Sequence, residues 1–250
     1  MLIKISNYER LKTNMIKIHS RRITVKKLAI SLFLAAGAMA LFGCNARSQY
    51  VEQPLKPMAQ SFQGVLPCAD CQGMDTSLFL EKDGTFVLKE VYRGTRDGDQ
   101  AFAEYGSWQR TADKLVLTGT DGSKRYFRPK GNDLNMLDAS GNDIDSTLNY
   151  TLKATDAPLP VTPMTFKGMY VYMADAATFH DCATGKNFPV SNNIALEQGY
   201  SRAQGEAGQP VFLEIQAHFA ITPSMEDGMV EKAIVPDGQP RFDAKGDCAN

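Results

Sequence analysis

At 250 residues, with 27 Lys+Arg against 28 Asp+Glu and 43% hydrophobic residues, the chain has the composition of a globular protein rather than of a disordered or strongly basic one. The near-neutral balance hides an asymmetry. The first 43 residues hold 8 of the basic and 1 of the acidic residues, so the remainder carries 19 against 27, a net charge of −8. Phosphate binding needs clustered positive charge, which argues against nucleic acid as a partner.

The asymmetry comes from an N-terminal address. Arg21, Arg22, Lys26 and Lys27 precede LAISLFLAAGAMALFGC at 28–44, an apolar run shorter than the ~18 residues needed to span a bilayer. This is the pattern of a secretory signal, with Met15 as an alternative start. Leu41-Phe42-Gly43-Cys44 resembles a bacterial lipobox, in which the cysteine thiol takes a diacylglycerol, the preceding residues are removed, and the new amino terminus is N-acylated. Residues 1–43 are thus expected to be a lipoprotein signal peptide and Cys44 the lipidation site. In bacterial lipoproteins an Asp after that cysteine commonly causes inner-membrane retention. Here the position holds Asn45, which implies sorting to the outer membrane with the protein facing the periplasm. Residues 44–60 are polar, carry Pro54 and Pro57, and read as a flexible tether.

From 61 to 153 the dominant signal is alternation with closely spaced turns. Strands are expected over 76–80 and 85–92, flanking Lys82-Asp83-Gly84, then over 101–110, 114–118, 124–129, 134–137 and 147–153. In the last of these Leu148, Tyr150 and Leu152 would share one face. Seven or eight short strands without a helical period point to a small up-and-down barrel. Gly106-Ser107-Trp108 is similar to the G-x-W of lipocalins but sits mid-chain, so Trp108 is read as a core residue.

Residues 154–163 (ATDAPLPVTP) contain three prolines and form a linker and domain boundary. Beyond it, over 164–250, strands are expected at 167–173, 177–181 and 186–190. A helix follows at 193–203 with Ser191 and Asn192 as candidate N-caps, then strands at 211–221 and 229–235. Five strands with a helix after the third is the order of an OB-fold. With 6 basic and 11 acidic residues over 165–250, this unit is a protein-contact or structural module rather than a nucleic-acid reader. The expected fold is therefore mainly β, a small barrel followed by an OB-fold domain with one helix.

Apart from Cys44, four cysteines remain, Cys68, Cys71, Cys182 and Cys248, and an even number in an exported chain points to disulfides. Three pairings are formally possible, and sequence proximity favours Cys68 with Cys71 and Cys182 with Cys248. Cys68-Ala69-Asp70-Cys71 admits three chemistries. A redox catalyst needs a lowered thiol pKa at a helix N-terminus, whereas here a strand follows and Asp70 opposes thiolate formation. A soft-metal site suits Cu(I), with Met58 or Met74 as a thioether donor. The third reading is a plain structural or regulatory disulfide. His180 stands near Cys182 and could join it at a metal, although a loop histidine beside a disulfide is the simpler reading, and His218 is expected on a solvated strand face. No G-x-S-x-G, H-E-x-x-H, Walker A or dinucleotide fingerprint is present, so no enzyme activity is expected.

The stretch 56–92 (KPMAQSFQGVLPCADCQGMDTSLFLEKDGTFVLKEVY) closely resembles the NlpE (copper homeostasis lipoprotein, CutF) family. So do 105–108, 111–117, 168–179 and 181–186, and the family's cysteines have counterparts at Cys44, Cys68, Cys71, Cys182 and Cys248. The long basic N-terminal extension departs from the family. The resemblance implies an outer-membrane lipoprotein with a lipocalin-like barrel and an OB-fold domain. It also implies an upstream sensor that activates the inner-membrane histidine kinase CpxA of the Cpx envelope stress response upon adhesion, lipoprotein mistrafficking, or redox and copper stress. Expected partners are that kinase, the outer membrane, and the periplasmic disulfide-forming and lipoprotein-sorting machinery. Alternative functions are copper binding or delivery through Cys68 and Cys71, and carriage of an apolar ligand in the barrel.

Overall fold

A computed structural model of the chain describes residues 60–111, 113–203, 208–224 and 226–249. The signal sequence, Cys44, Asn45 and Met58 lie outside the described residues. Among those described, no helix is long and apolar enough to cross a membrane.

The first eight strands are β1 (Gln60–Leu66), β2 (Gly73–Leu80), β3 (Thr85–Thr95), β4 (Gly98–Arg110), β5 (Leu115–Gly119), β6 (Lys124–Lys130), β7 (Asp133–Met136) and β8 (Thr151–Thr155). Each pairs antiparallel with the next, and β8 returns to β1 through Ser61↔Thr155 and Gln63↔Lys153, closing a barrel. Alternation places Phe62, Leu78, Phe86, Leu88, Leu115 and Phe127 inside, all nearly inaccessible to water. These side chains form the barrel's apolar core.

Two departures from the alternation reading have local causes. Strand β1 is absent from the expected set because Gln60, Ser61, Gln63 and Gly64 blur its apolar rhythm. Gly64 is required by closure, since a Cβ there would lie 2.6 Å from the Thr151 carbonyl oxygen. Conversely, β8 begins at Thr151 and not at 147, and Leu148 is 60% exposed instead of facing the core with Leu152. Strand β7 ends at Met136, so 147–149 have no ladder partner, and Asn149 instead bonds Val65 O and the Thr151 amide. Trp108 is half-buried against the barrel core and donates its indole N–H to Glu81 O at 3.0 Å.

The second unit contains β9 (Met164–Met173), β10 (Ala176–Asp181), β11 (Asn187–Pro189), α1 (Ile194–Ala203), β12 (Val211–Pro223), β13 (Val230–Pro236) and β14 (Arg241–Asp243). Its sheet runs β11-β10-β9-β12-β13, with the short β14, unforeseen in sequence, paired beside β12. A parallel bridge between Val190 and Ile234 joins the two sheet ends, giving the curled five-strand frame with a helix after its third strand that an OB-fold has. The helix is entered from Asn193, whose carbonyl accepts the Glu197 amide, rather than from Ser191 or Asn192. Along β12, Val211, Leu213, Ile215, Ala217 and Phe219 are buried as their shared face requires, while Ile221 at the strand's far end is 56% exposed.

The two units share an apolar core. Phe79, Val87 and Tyr105 project outward from the barrel into the cluster formed by Phe166, Phe188 and Phe219 of the second sheet. The proline-rich segment also contributes: Ala157 and Leu159 pack against this cluster, and the Ala157 amide donates to Ser61 Oγ at 3.0 Å. At Gly106 a Cβ would collide with the Thr118 carbonyl and approach the Phe86 ring to 2.9 Å. Gly106→Ala is therefore expected to lower stability by about 1–3 kcal/mol through overpacking, read from the urea midpoint at constant m-value.

Candidate functional site

Cys68 and Cys71 lie in the connection from β1 to β2 and are joined by a disulfide, Cα–Cα 5.4 Å. The segment is pinned by the Gln72 amide, which donates to Arg93 O at 2.9 Å. A strand follows directly, so no helix N-terminus is available to lower a thiol pKa. Cys68 packs against the barrel core and Met74 is buried within it, 8% exposed. The joined sulfurs offer no thiolate, so in this state the pair and Met74 do not make a Cu(I) donor set. Among the described residues no group of three or more His, Cys, Asp or Glu side chains is placed to hold a metal.

Cys182 and Cys248 form the second disulfide, Cα–Cα 5.1 Å and 66 positions apart in sequence. Closing a loop of that length constrains the unfolded chain by roughly 4 kcal/mol on the chain-entropy account. It ties the exposed C-terminal segment to the turn between β10 and β11. His180, on the other face of β10 from Asp181, bonds Asn187 Oδ1 through Nδ1 at 2.9 Å. The His218 imidazole is only 13% exposed and lies 2.8 Å from Asp237, so it is paired rather than solvated as the strand pattern suggests.

Three features emerge only in the folded chain. The first is Asp181, fully buried, whose oxygens accept the Tyr105 hydroxyl at 2.6 Å and the Thr184 amide and hydroxyl at 2.8 and 2.6 Å. Three converging donors suit an acceptor-only carboxylate. Tyr105 stacks on Phe166 with centroids 4.2 Å apart and meets Phe219 edge-on. Burial, and secondarily the Asp181 charge, push the ionisation of its phenol up.

A second contact between barrel and sheet is made by Lys232, whose side chain is 10% exposed. It bridges to Asp83 at 2.5 Å, donates to Thr85 Oγ1, and lies 4.6 Å from the Phe219 ring centroid.

The third feature is a charged group inside the barrel wall, where Arg125 binds Glu90 through two nitrogens at 2.9 and 3.1 Å and Glu104 at 3.0 Å. Burial raises the Glu104 carboxyl, offset in part by Arg125. For Arg125, burial is outweighed by Glu90 and Glu104, which push it up. Glu90 lies on the same face of β3 as the core residues Phe86 and Leu88.

The sequence resemblances are specific. The NlpE N-terminal domain family matches residues 62–147, and the NlpE C-terminal OB domain family matches residues 160–249. The Lipoprotein NlpE of Escherichia coli (strain K12) is 50% identical over 232 residues, covering 90% of this chain and 98% of that protein. A 17 kDa lipoprotein of Treponema pallidum (strain Nichols) is 28% identical over 120 residues, covering 44% of this chain and 76% of its own length. Among solved structures, the crystal structure of the Cpx pathway activator NlpE from Escherichia coli is 54% identical, covers 78% of this chain and 100% of its own, and superposes with a TM-score of 0.38. A putative lipoprotein from Shewanella oneidensis is 32% identical, covers 43% and 96%, and superposes with a TM-score of 0.36.

The Lys232 contact has a definite pH dependence. Burial alone would raise the Asp83 carboxyl, but the hydrogen bonds from Lys232 and Thr85 and the Lys232 charge together hold it below the ordinary carboxylate range. Stability from this group is therefore fully present above the unfolded value of about 3.9 and is lost as pH falls through the lower folded value. Asp83→Asn should flatten that acid limb, measured as the urea midpoint across about pH 5 to 2. An unchanged limb would remove Asp83 from the account.

Proposed function

The chain belongs to the NlpE lipoprotein family, and on that premise we propose that it is a lipid-anchored activator of the Cpx envelope stress response. The observation that carries this reading is the sequence identity shared along nearly the full length of the Escherichia coli relative, with both family domains matched in order. In this reading Cys44 bears the diacylglycerol and N-acyl chains, and Asn45 directs the protein to the outer membrane. The barrel makes the contact with the inner-membrane kinase CpxA. Signalling proceeds by contact rather than catalysis, and the inputs are membrane location and the disulfide states set by the periplasmic oxidising machinery. A protein correctly sorted to the outer membrane is out of the kinase's reach, whereas one held at the inner membrane is beside it.

A Cpx-dependent reporter in cells carrying the full chain tests this. Asn45→Asp, which favours inner-membrane retention, should raise the reporter well above the level of the unaltered chain at matched abundance. Cys44→Ala, which removes the anchor, should not. An unaltered reporter with Asn45→Asp shown by fractionation at the inner membrane would sink the reading.

Copper delivery through Cys68 and Cys71 is open only to the reduced chain, because two-electron reduction of that disulfide would free two soft thiolate donors at one end of the barrel. Equilibrium dialysis against Cu(I) should then show uptake by the reduced protein alone, abolished by Cys68→Ser with Cys71→Ser. Equal uptake by that variant would remove the copper reading.

A further inference from the structure

Two features far apart in the chain meet at one end of the barrel. Gln60, the first residue of β1, pairs with Leu80 beside the β2 to β3 turn 81–84, so whatever precedes residue 60 enters the fold at that end. The hairpin of β12 and β13 reaches the same end. Phe219 meets Tyr105 edge-on, and the next rung on that face, Ile221 with Lys232, lies at the turn, where Lys232 bonds Asp83 and Thr85. Beyond that rung the hairpin continues through Pro223 with Val230 into the turn 224–229. Alternation puts Ile221, Pro223 and Val230 on one face with Lys232. Ile221, Met229 and Val230 are 56%, 57% and 67% exposed, three large apolar side chains at the tip of one two-stranded arm. The same stretch, 221–231, carries Glu226, Asp227 and Glu231 and no Lys or Arg.

We propose that this arm is a second membrane contact beside the lipid anchor, in which Ile221, Met229 and Val230 enter the interfacial layer of a zwitterionic phospholipid bilayer and the carboxylates of Glu226 and Asp227 meet its ethanolamine ammonium groups. The proposal rests on the reading that Cys44 bears the lipid. Residues 45–59 then separate the anchored residue from Gln60, and that length of chain spans at most about 55 Å. The bilayer is held within reach of the barrel end where the arm stands, and the contact is made at the high effective concentration of a tethered pair. Headgroup charge selects the lipid. An anionic surface repels three carboxylates with no cation among them, whereas the ethanolamine headgroup supplies the cation that the arm lacks. Two points of attachment, chain and arm, fix the bearing of the barrel. The Cys68–Cys71 connection, at the opposite end of β1 from Gln60, then faces away from the bilayer.

Hydroxyl-radical footprinting of the lipidated chain on vesicles, read by mass spectrometry, tests this through two methionines. Met229 is on the arm, and Met173, 64% exposed at the far end of β9, is the internal reference. On vesicles of phosphatidylethanolamine and phosphatidylcholine, the Met229 to Met173 labelling ratio should be about fivefold lower than in a variant with Ile221→Asp and Val230→Asp, the value for a contact made about four-fifths of the time. Replacing much of the ethanolamine lipid by phosphatidylglycerol at low salt should raise the ratio of the unaltered chain, and added salt should lower it again. Glu226→Lys with Asp227→Lys should invert that lipid preference. Flotation of each form with the vesicles reports the anchor separately. A chain that does not float would overturn the Cys44 reading and this contact with it. A floating chain whose ratio matches that of the Ile221→Asp, Val230→Asp variant would overturn the contact alone. So would protection strongest on the anionic vesicles, or protection lost when the protein is diluted over the vesicle surface, which would assign the arm to a second copy of the chain.

Discussion

A fully buried carboxylate can persist only where its oxygens are supplied with donors, because unmet burial of a charge costs several kcal/mol. Asp181 meets that condition with a hydroxyl from the barrel and two groups from its own turn. The requirement is geometric. The carboxylate meets its third donor only where β4 brings Tyr105 within reach, and there the Tyr105 ring stacks on Phe166. One interaction therefore fixes the register of barrel against sheet, the shape of the turn after β10, and the position of the adjacent Cys182.

The aromatic contacts around it supply most of the cohesion. Phe166, Phe219 and Tyr105 meet in stacked and edge-on arrangements that favour their quadrupoles, each worth about 0.5–1.5 kcal/mol beyond area burial. The polar contacts add little net energy by comparison, since each exchanges water for protein partners. What they add is selection. A purely apolar joint would tolerate sliding, whereas Asp181 and Lys232 each lose their partners if the sheet moves. Barrel and sheet thus behave as one packed body joined by an occupied seam rather than as beads on a proline-rich string.

Alternation and turn chemistry made most strands legible, because burial on one face imposes a two-residue period that needs no knowledge of the partner. The same rule failed where the partner decided the outcome. Gly64 in β1 answers to the approach of β8, and residues 147–149 continue the alternation yet have no ladder partner. Cysteine proximity named the two disulfides that the structure contains. Nothing local marked Tyr105 with Asp181, or Arg125 with Glu90 and Glu104. Those side chains look like ordinary strand residues until the barrel closes, and a pair 76 positions apart leaves no trace in spacing.

The barrel's strand order also sets how the chain can fold. Apart from the closing pair, every neighbour in the wall is the strand just before or after it, so six of the eight pairings need only a short loop and can zip as hairpins, while β7 and β8 meet across the longer segment 137–150. The pairing of β1 with β8 joins residues ninety or more positions apart. Until it forms, β1 and β8 each present a raw edge able to pair with another chain. Ser61, which bonds both Thr155 O and the Ala157 amide, stands at that last suture. The slow, aggregation-exposed moment in this protein's assembly is accordingly the closing of a ring, and it falls just where the chain turns into the second sheet.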